Sequence, residues 1–208
     1  MNVFKRMMCI ILAMASIATL CACSMPMKIV GNIPDPRNTV TSFFDNVCAG
    51  NFKESDKYLS GVSLSMKSDV EGVFSQKLYD YLLKSYGYQI NGDITTDQLD
   101  AACKVDFTYL DFNLLSDDLK KTATRLGKKY MAENTEGYVE EKEDGVSLTD
   151  EGAEKTAVDA LDLLMSSPEK YYATKTFDLT MKYSGNKWLI NMTEELFDAI
   201  SGGFDAEN

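Results

Sequence analysis

The sequence predicts an α+β domain with helices packed on one face of an antiparallel sheet. Two stretches, Ala101 to Phe112 and Tyr172 to Tyr183, alternate apolar and polar residues, as strands with one buried face do. Ser184-Gly185-Asn186-Lys187 is hairpin-turn chemistry, and Trp188, Ile190 and Met192 resume the buried side behind it. Elsewhere apolar residues return at helical spacing between capping residues and glycines.

In chain order, Asn38 or Thr39 caps a first helix, with Val40, Phe43, Phe44, Val47 and Cys48 on its apolar side and Gly50 at its end. Asn51 to Leu59 continues as a short helical piece that turns Phe52, Tyr58 and Leu59 inward. Ser68 and Glu71 have capping-box spacing. They open a helix with Val70, Val73, Phe74, Lys77, Leu78, Tyr81 and Leu82 on one stripe, stopped by Gly87. Tyr88 to Ile90 reads as a short strand before an Asn91-Gly92 turn. Cys103, Val105, Phe107 and Tyr109 form the buried face of the next strand. Ser116-Asp117-Asp118 opens a helix with its acids at the positive end and Lys128 and Lys129 near the negative end. Residues 133–150 are acidic and read as an exposed loop. Thr149 caps the following helix, whose stripe is Ala153, Ala157, Ala160, Leu161 and Leu164, with Pro168 as its stop. After the hairpin, Thr193 caps a last helix from Glu194 to Ile200, and Gly202-Gly203 releases the tail.

The chain has 208 residues, 21 Lys+Arg against 32 Asp+Glu, a net charge of −11 and no histidine. Without histidine there is no Ser-His nucleophile system and no His-based metal site. No GxSxG, P-loop or dinucleotide fingerprint occurs. Glu140, Lys142, Asp144, Gly145 and Glu151 fall at calcium-loop positions, but Lys142 puts a cation where a ligand oxygen belongs, so the segment reads as a solvated acidic loop. No cofactor or metal is expected, and the negative charge disfavours nucleic acid.

The first residues have a different composition. Lys5 and Arg6 precede Met7 to Leu20, which carries no charge and falls short of the ~20 residues a bilayer span needs. This is the form of an export signal. Leu20-Cys21-Ala22-Cys23 resembles a bacterial lipobox. In that family the last cysteine takes a diacylglyceryl group and becomes the first residue after cleavage. Cys21 would leave Leu20 at the position that requires a small residue, so the resemblance assigns lipidation to Cys23. Residues 1–22 are then the lipoprotein signal, 23–37 a Pro-containing lipidated tether, 38–203 the domain and 204–208 a tail. Lipid on Cys23 places the chain at the extracytoplasmic face of the cell membrane. Cys48 and Cys103 remain; a disulfide is permitted outside the cell, and two small buried hydrophobes is the favoured reading.

Thr39 to Ser60, TVTSFFDNVCAGNFKESDKYLS, resembles the first helices of nuclear transport factor 2-like domains, in which an aromatic pair precedes a G-[ND]-[FY] break and a YL end. Phe177 to Met192, FDLTMKYSGNKWLINM, resembles their last two strands. The chain is most similar to lipoproteins of Gram-positive, clostridial-type bacteria built on this fold. The resemblance implies a cone-like domain, N-terminal helices on a curved sheet, here with extra inserted helices. It also implies a role in binding a small molecule, peptide or protein partner, without catalysis. Because the wider fold includes isomerases and dehydratases, an acid–tyrosine pocket enzyme is the alternative. Tyr58, Tyr81, Tyr109 and Asp111 are the pocket candidates, with Asp111 and Tyr109 the catalytic ones; Asp106 alternates outward. Pairing of two copies through the sheet, as many relatives do, is a third expectation.

Overall fold

The computed structural model describes residues 33–64, 72–142 and 145–203. They belong to the second of two units, Met1–Asn32 and Ile33–Asn208. The lipobox with Cys21 and Cys23, the Ser68–Glu71 capping box and Asp144 lie outside the described residues.

The α+β class holds. Helices α1 (Pro36–Cys48), α2 (Phe52–Ser55) and α3 (Val73–Ser85) precede strands β1 (Gly87–Asp97) and β2 (Asp100–Leu110). Helix α4 (Phe112–Ala132), strands β3 (Val139–Lys142) and β4 (Gly145–Leu148) and helix α5 (Asp150–Met165) follow. Strands β5 (Tyr172–Ser184) and β6 (Lys187–Ile190) and helix α6 (Glu194–Ile200) complete the domain. The main sheet runs β1-β2-β5-β6 with every pair antiparallel. Its centre is the β2–β5 ladder, unbroken from Asp100 opposite Lys182 to Leu110 opposite Tyr172.

One face of that ladder carries the core. Cys103, Val105, Phe107 and Tyr109 of β2 and Phe177, Leu179 and Met181 of β5 are buried, as their alternation predicts. Val40, Phe43, Phe44 and Val47 of α1 cover them and are fully buried. Each such side chain contributes ~1.5–3 kcal/mol by leaving water. The Phe44 ring lies 5.0 Å from that of Tyr88 and 5.6 Å from that of Phe107. A second cluster fills the space among α3, α4 and α5, with Leu78, Leu82, Leu115, Leu161 and Met165 buried.

Several elements depart from the sequence reading. Helix α1 starts at Pro36, not after Asn38 or Thr39: Asp35 caps it by accepting from the Arg37 N–H at 2.8 Å, and proline suits a first-turn position that has no amide to satisfy. Asn91-Gly92 does not end β1. Gly92, at φ 72°, sits within a register shift between Asn91 and Thr95, and the strand continues to Asp97. A glycine at positive φ suits a bulge as well as a turn. Helix α4 begins four residues early, because Asp111 accepts from the Asn113 N–H at 2.9 Å. Val73, on the expected stripe of α3, is 62% exposed. In α5, Ala160 and Leu161 of the expected stripe are buried, while Ala153 is exposed and Gly152, Thr156, Val158 and Met165 are buried in addition. Within residues 133–150, expected to be loop, β3 and β4 form a hairpin. The last helix and its Thr193 cap lie where the sequence places them.

Candidate functional site

Strand β2 ends by delivering Tyr109 and Asp111 to one corner of the domain. There the chain turns into α4, so the Asp111 carboxylate is committed to the helix cap. Its backbone N–H is held by Tyr171 O at 2.9 Å, and the Phe112 N–H by Gly202 O at 2.8 Å. Lys175 enters from β5 and Asp198 from α6. Together with Asn113 and Gly203 they line a polar notch of about 150 Å³. A side chain at position 203 would put its Cβ 2.8 Å from Asn113 Nδ2, so glycine keeps this wall open. The Tyr109 hydroxyl, by hydrogen bonding to Lys175, holds the ammonium above its usual range, aided by the charge of Asp111. Lys175 is therefore a fixed cation at neutral pH, suited to holding an anion and not to acting as a base or amine nucleophile.

Of the pocket candidates, only Tyr109 and Asp111 come together. Tyr58 packs against the main core from the turn after α2. Tyr81 belongs to the second cluster, where its hydroxyl donates to Asp162 Oδ1 at 3.0 Å. Asp106 lies on the outer sheet face and accepts from the Thr176 hydroxyl at 2.6 Å, which lowers its pKa. That face is polar along the middle of the β2–β5 ladder, where Lys104 pairs with Asp178 at 3.2 Å and Thr108 with Thr174 at 2.8 Å, and turns apolar at its end, where Leu110 and Tyr172 join the second cluster.

A more open hollow of about 380 Å³ lies between the start of α1 and the far end of β1, lined by Ile33, Pro34, Ile94, Thr96 and Trp188 among others. The Trp188 Nε1–H donates to Pro34 O at 2.7 Å, which closes its floor. Cys48 and Cys103 are free thiols. Burial, with the nearby Asp45 charge, pushes Cys48 up to about 11, and burial also raises Cys103. Neither is a nucleophile at neutral pH. Among the described residues no cluster of Cys, Asp or Glu could hold a metal ion, and no helix is long and apolar enough to cross a membrane.

No family model matches the sequence, and no curated protein matches it. A solved structure from Bacillus subtilis, described as a "putative lipoprotein", is similar at 18% identity with a TM-score of 0.36, over 80% of this chain and 47% of that one. The chain thus spans about half the length of that neighbour, and likeness at this level carries neither fold nor function. Sequence reasoning reached Tyr109 and Asp111 through their phase on the strand. It missed Lys175 and Asp198, which only the pairing of β5 with β2 and the docking of α6 bring to the corner.

Proposed function

We propose that the chain is a lipid-anchored extracytoplasmic lipoprotein whose nuclear transport factor 2-like domain is a non-catalytic binding module. The anchor rests on Leu20-Cys21-Ala22-Cys23 behind an apolar run with a positive start. Two acyl chains at ~0.8 kcal/mol per buried methylene hold a protein firmly, where one is marginal.

The observation that carries the non-catalytic reading is the filled inner face of the sheet. Phe43, Phe44, Phe107, Met181 and Trp188, none more than 2% exposed, occupy the volume where an open cone would hold a substrate. The hollow beside Trp188 is of a size that takes a small molecule or a peptide side chain. The Tyr109–Asp111–Lys175 notch favours the acid–tyrosine enzyme as a second reading. Its volume of about 150 Å³ is below the ~300 Å³ at which ligand pockets usually begin, and its acid already caps a helix. The outer face of the sheet offers salt bridges and threonines to a second copy, with little apolar area to drive pairing.

Detergent phase partitioning tests the anchor. Wild-type protein expressed in a bacterium with a lipoprotein pathway is expected in the detergent phase, and Cys23→Ala in the aqueous phase or retained with an uncleaved signal. Equal partitioning of correctly cleaved forms removes the anchor.

A further inference from the structure

Helix α4 concentrates positive charge in a chain of net charge −11. Lys120, Lys121, Arg125 and Lys128 are exposed and line one shallow hollow with Asp117 and Thr124. Among the described residues none of these cations is within ion-pair distance of a carboxylate, whereas Lys129, Lys155 and Lys170 are paired. The helix dipole does not account for them. Lys120, Lys121 and Arg125 lie in the middle of Phe112–Ala132, and a cation offsets the dipole only in the last turn. The opposite side of the helix is buried through Leu115, Leu119 and Gly127. Leu114, 50% exposed, opens the charged stripe two turns before Lys121.

We infer that this face of α4 is a docking surface for the anionic headgroups of the membrane, which orients the domain against the lipid; the inference rests on the lipid-anchored reading. Charge complementarity selects an anionic partner. The exposed Leu114 selects a lipid surface over a soluble polyanion, because a leucine at the end of a cationic stripe gains only where it can enter the acyl boundary. The acids elsewhere on the domain do not forbid the contact. At physiological ionic strength charges are screened over ~8 Å, so the local face decides the interaction. The stretch from Cys23 to Ile33 spans at most about 35 Å when extended, and an anchored domain therefore meets the surface at high effective concentration.

The test uses the full chain carrying Cys23→Ala, which no lipid can modify, sedimented with vesicles of phosphatidylcholine alone and of equimolar phosphatidylcholine and phosphatidylglycerol. The apolar run Met7 to Leu20 adds to both, and Lys5 and Arg6 raise the ratio of the two partition coefficients equally in every variant, so the change in that ratio between variants reads the charge of α4. The ratio is expected to exceed one and to fall roughly fivefold for each cation removed in the series Lys120→Gln, Lys121→Gln, Arg125→Gln and Lys128→Gln. Asp117→Asn, which removes the acid on this face and leaves the cations in place, should raise it. A ratio unchanged by all of these substitutions overturns the inference. So does tighter binding to inorganic polyphosphate than to the mixed vesicles, which makes the ligand a soluble polyanion. Acylation plays no part in this measurement, so loss of the charge ratio removes the docking face alone. Failed detergent partitioning of wild type removes the anchor, and with it the high effective concentration at the membrane, while the charge ratio is read independently.

Discussion

Gly152 shows how much one hydrogen atom can decide. It is buried in the first turn of α5, and a Cβ there would lie 2.1 Å from the carbonyl oxygen of Tyr138. That oxygen belongs to the backbone leading into β3 and accepts from the Thr149 N–H at 3.0 Å, so it cannot move without losing the bond that holds the capping residue in place. In a free helix, glycine to alanine gains ~1 kcal/mol. At this position overpacking costs ~1–3 kcal/mol or more, and a contact of 2.1 Å with backbone puts the cost at the upper end, above that gain. Gly152→Ala is therefore expected to lower the free energy of urea unfolding, opposite to the propensity scale, and a stabilised variant would contradict the contact. Thr156 is buried one turn on because its hydroxyl donates to Gly152 O at 2.7 Å, which leaves no unsatisfied group.

Helices α3 and α5 are joined at their partly exposed edge by Asp162, which accepts from the Tyr81 hydroxyl at 3.0 Å and pairs with the Lys77 ammonium. Both ion-pair side chains are more than a third exposed, so most of the joint's strength lies in the tyrosine bond. Asp162→Ala is expected to cost ~1–2 kcal/mol. A double-mutant cycle with Tyr81→Phe should show coupling above ~0.5 kcal/mol. Additive losses would mean that the hydroxyl bonds to water instead. Nothing in the periodicity of either helix announces this pin, since it depends on which helices become neighbours. The same distinction separates the legible elements from the others. Strands β2, β5 and β6 are readable because one face is buried and the other wet, which writes a period of two into the chain. β1 is half-buried without alternation, and β3 and β4 are mostly exposed, so hydropathy carries little of their pattern. The α5 stripe is misread at its start because the buried line there runs through Gly152 and Thr156, whose small size matters more than their apolarity, and it is read correctly at Ala160 and Leu161. At the corner site Tyr109 follows from strand phase, whereas Lys175 requires the β2–β5 register. The cations of α4 are legible as a spacing, but that Lys120, Lys121, Arg125 and Lys128 form no ion pair among the described residues is a property of the folded surface.

Across the whole molecule, tyrosine hydroxyls tie distant elements together and, with a half-buried thiol, make the fold sensitive to alkali. The Tyr86 hydroxyl donates to Ile200 O and joins the end of α3 to α6; burial drives its pKa far above the usual value. Tyr88 reaches Asp45 of α1 at 2.7 Å and is pushed up to about 12, by burial first and then by that carboxylate. Tyr130 is raised to about 12, chiefly by its bond to Asp159 of α5 and then by burial. Cys48 is raised to about 11. In each case the native state keeps its proton to higher pH than the unfolded chain, so their contribution is complete below the unfolded value, near pH 9 for the thiol and ~10 for the phenols. Above that pH the unfolded chain ionises first, and stability falls as pH rises towards and through the folded values. Lys77 and Lys175, whose pKa values are raised by hydrogen bonds to Asp162 and Tyr109, lose stabilisation in the same direction above ~10.4. With no histidine to titrate between about pH 5 and 8, the free energy of urea unfolding should be nearly level across neutrality and drop from about pH 9 upward. Absorbance at 295 nm should show a group of tyrosines ionising only as the fold is lost. Tyr88→Phe should lower stability at neutral pH and make the alkaline slope shallower. Stability that rises between about pH 9 and 12 would reverse the sign required by these raised hydroxyls.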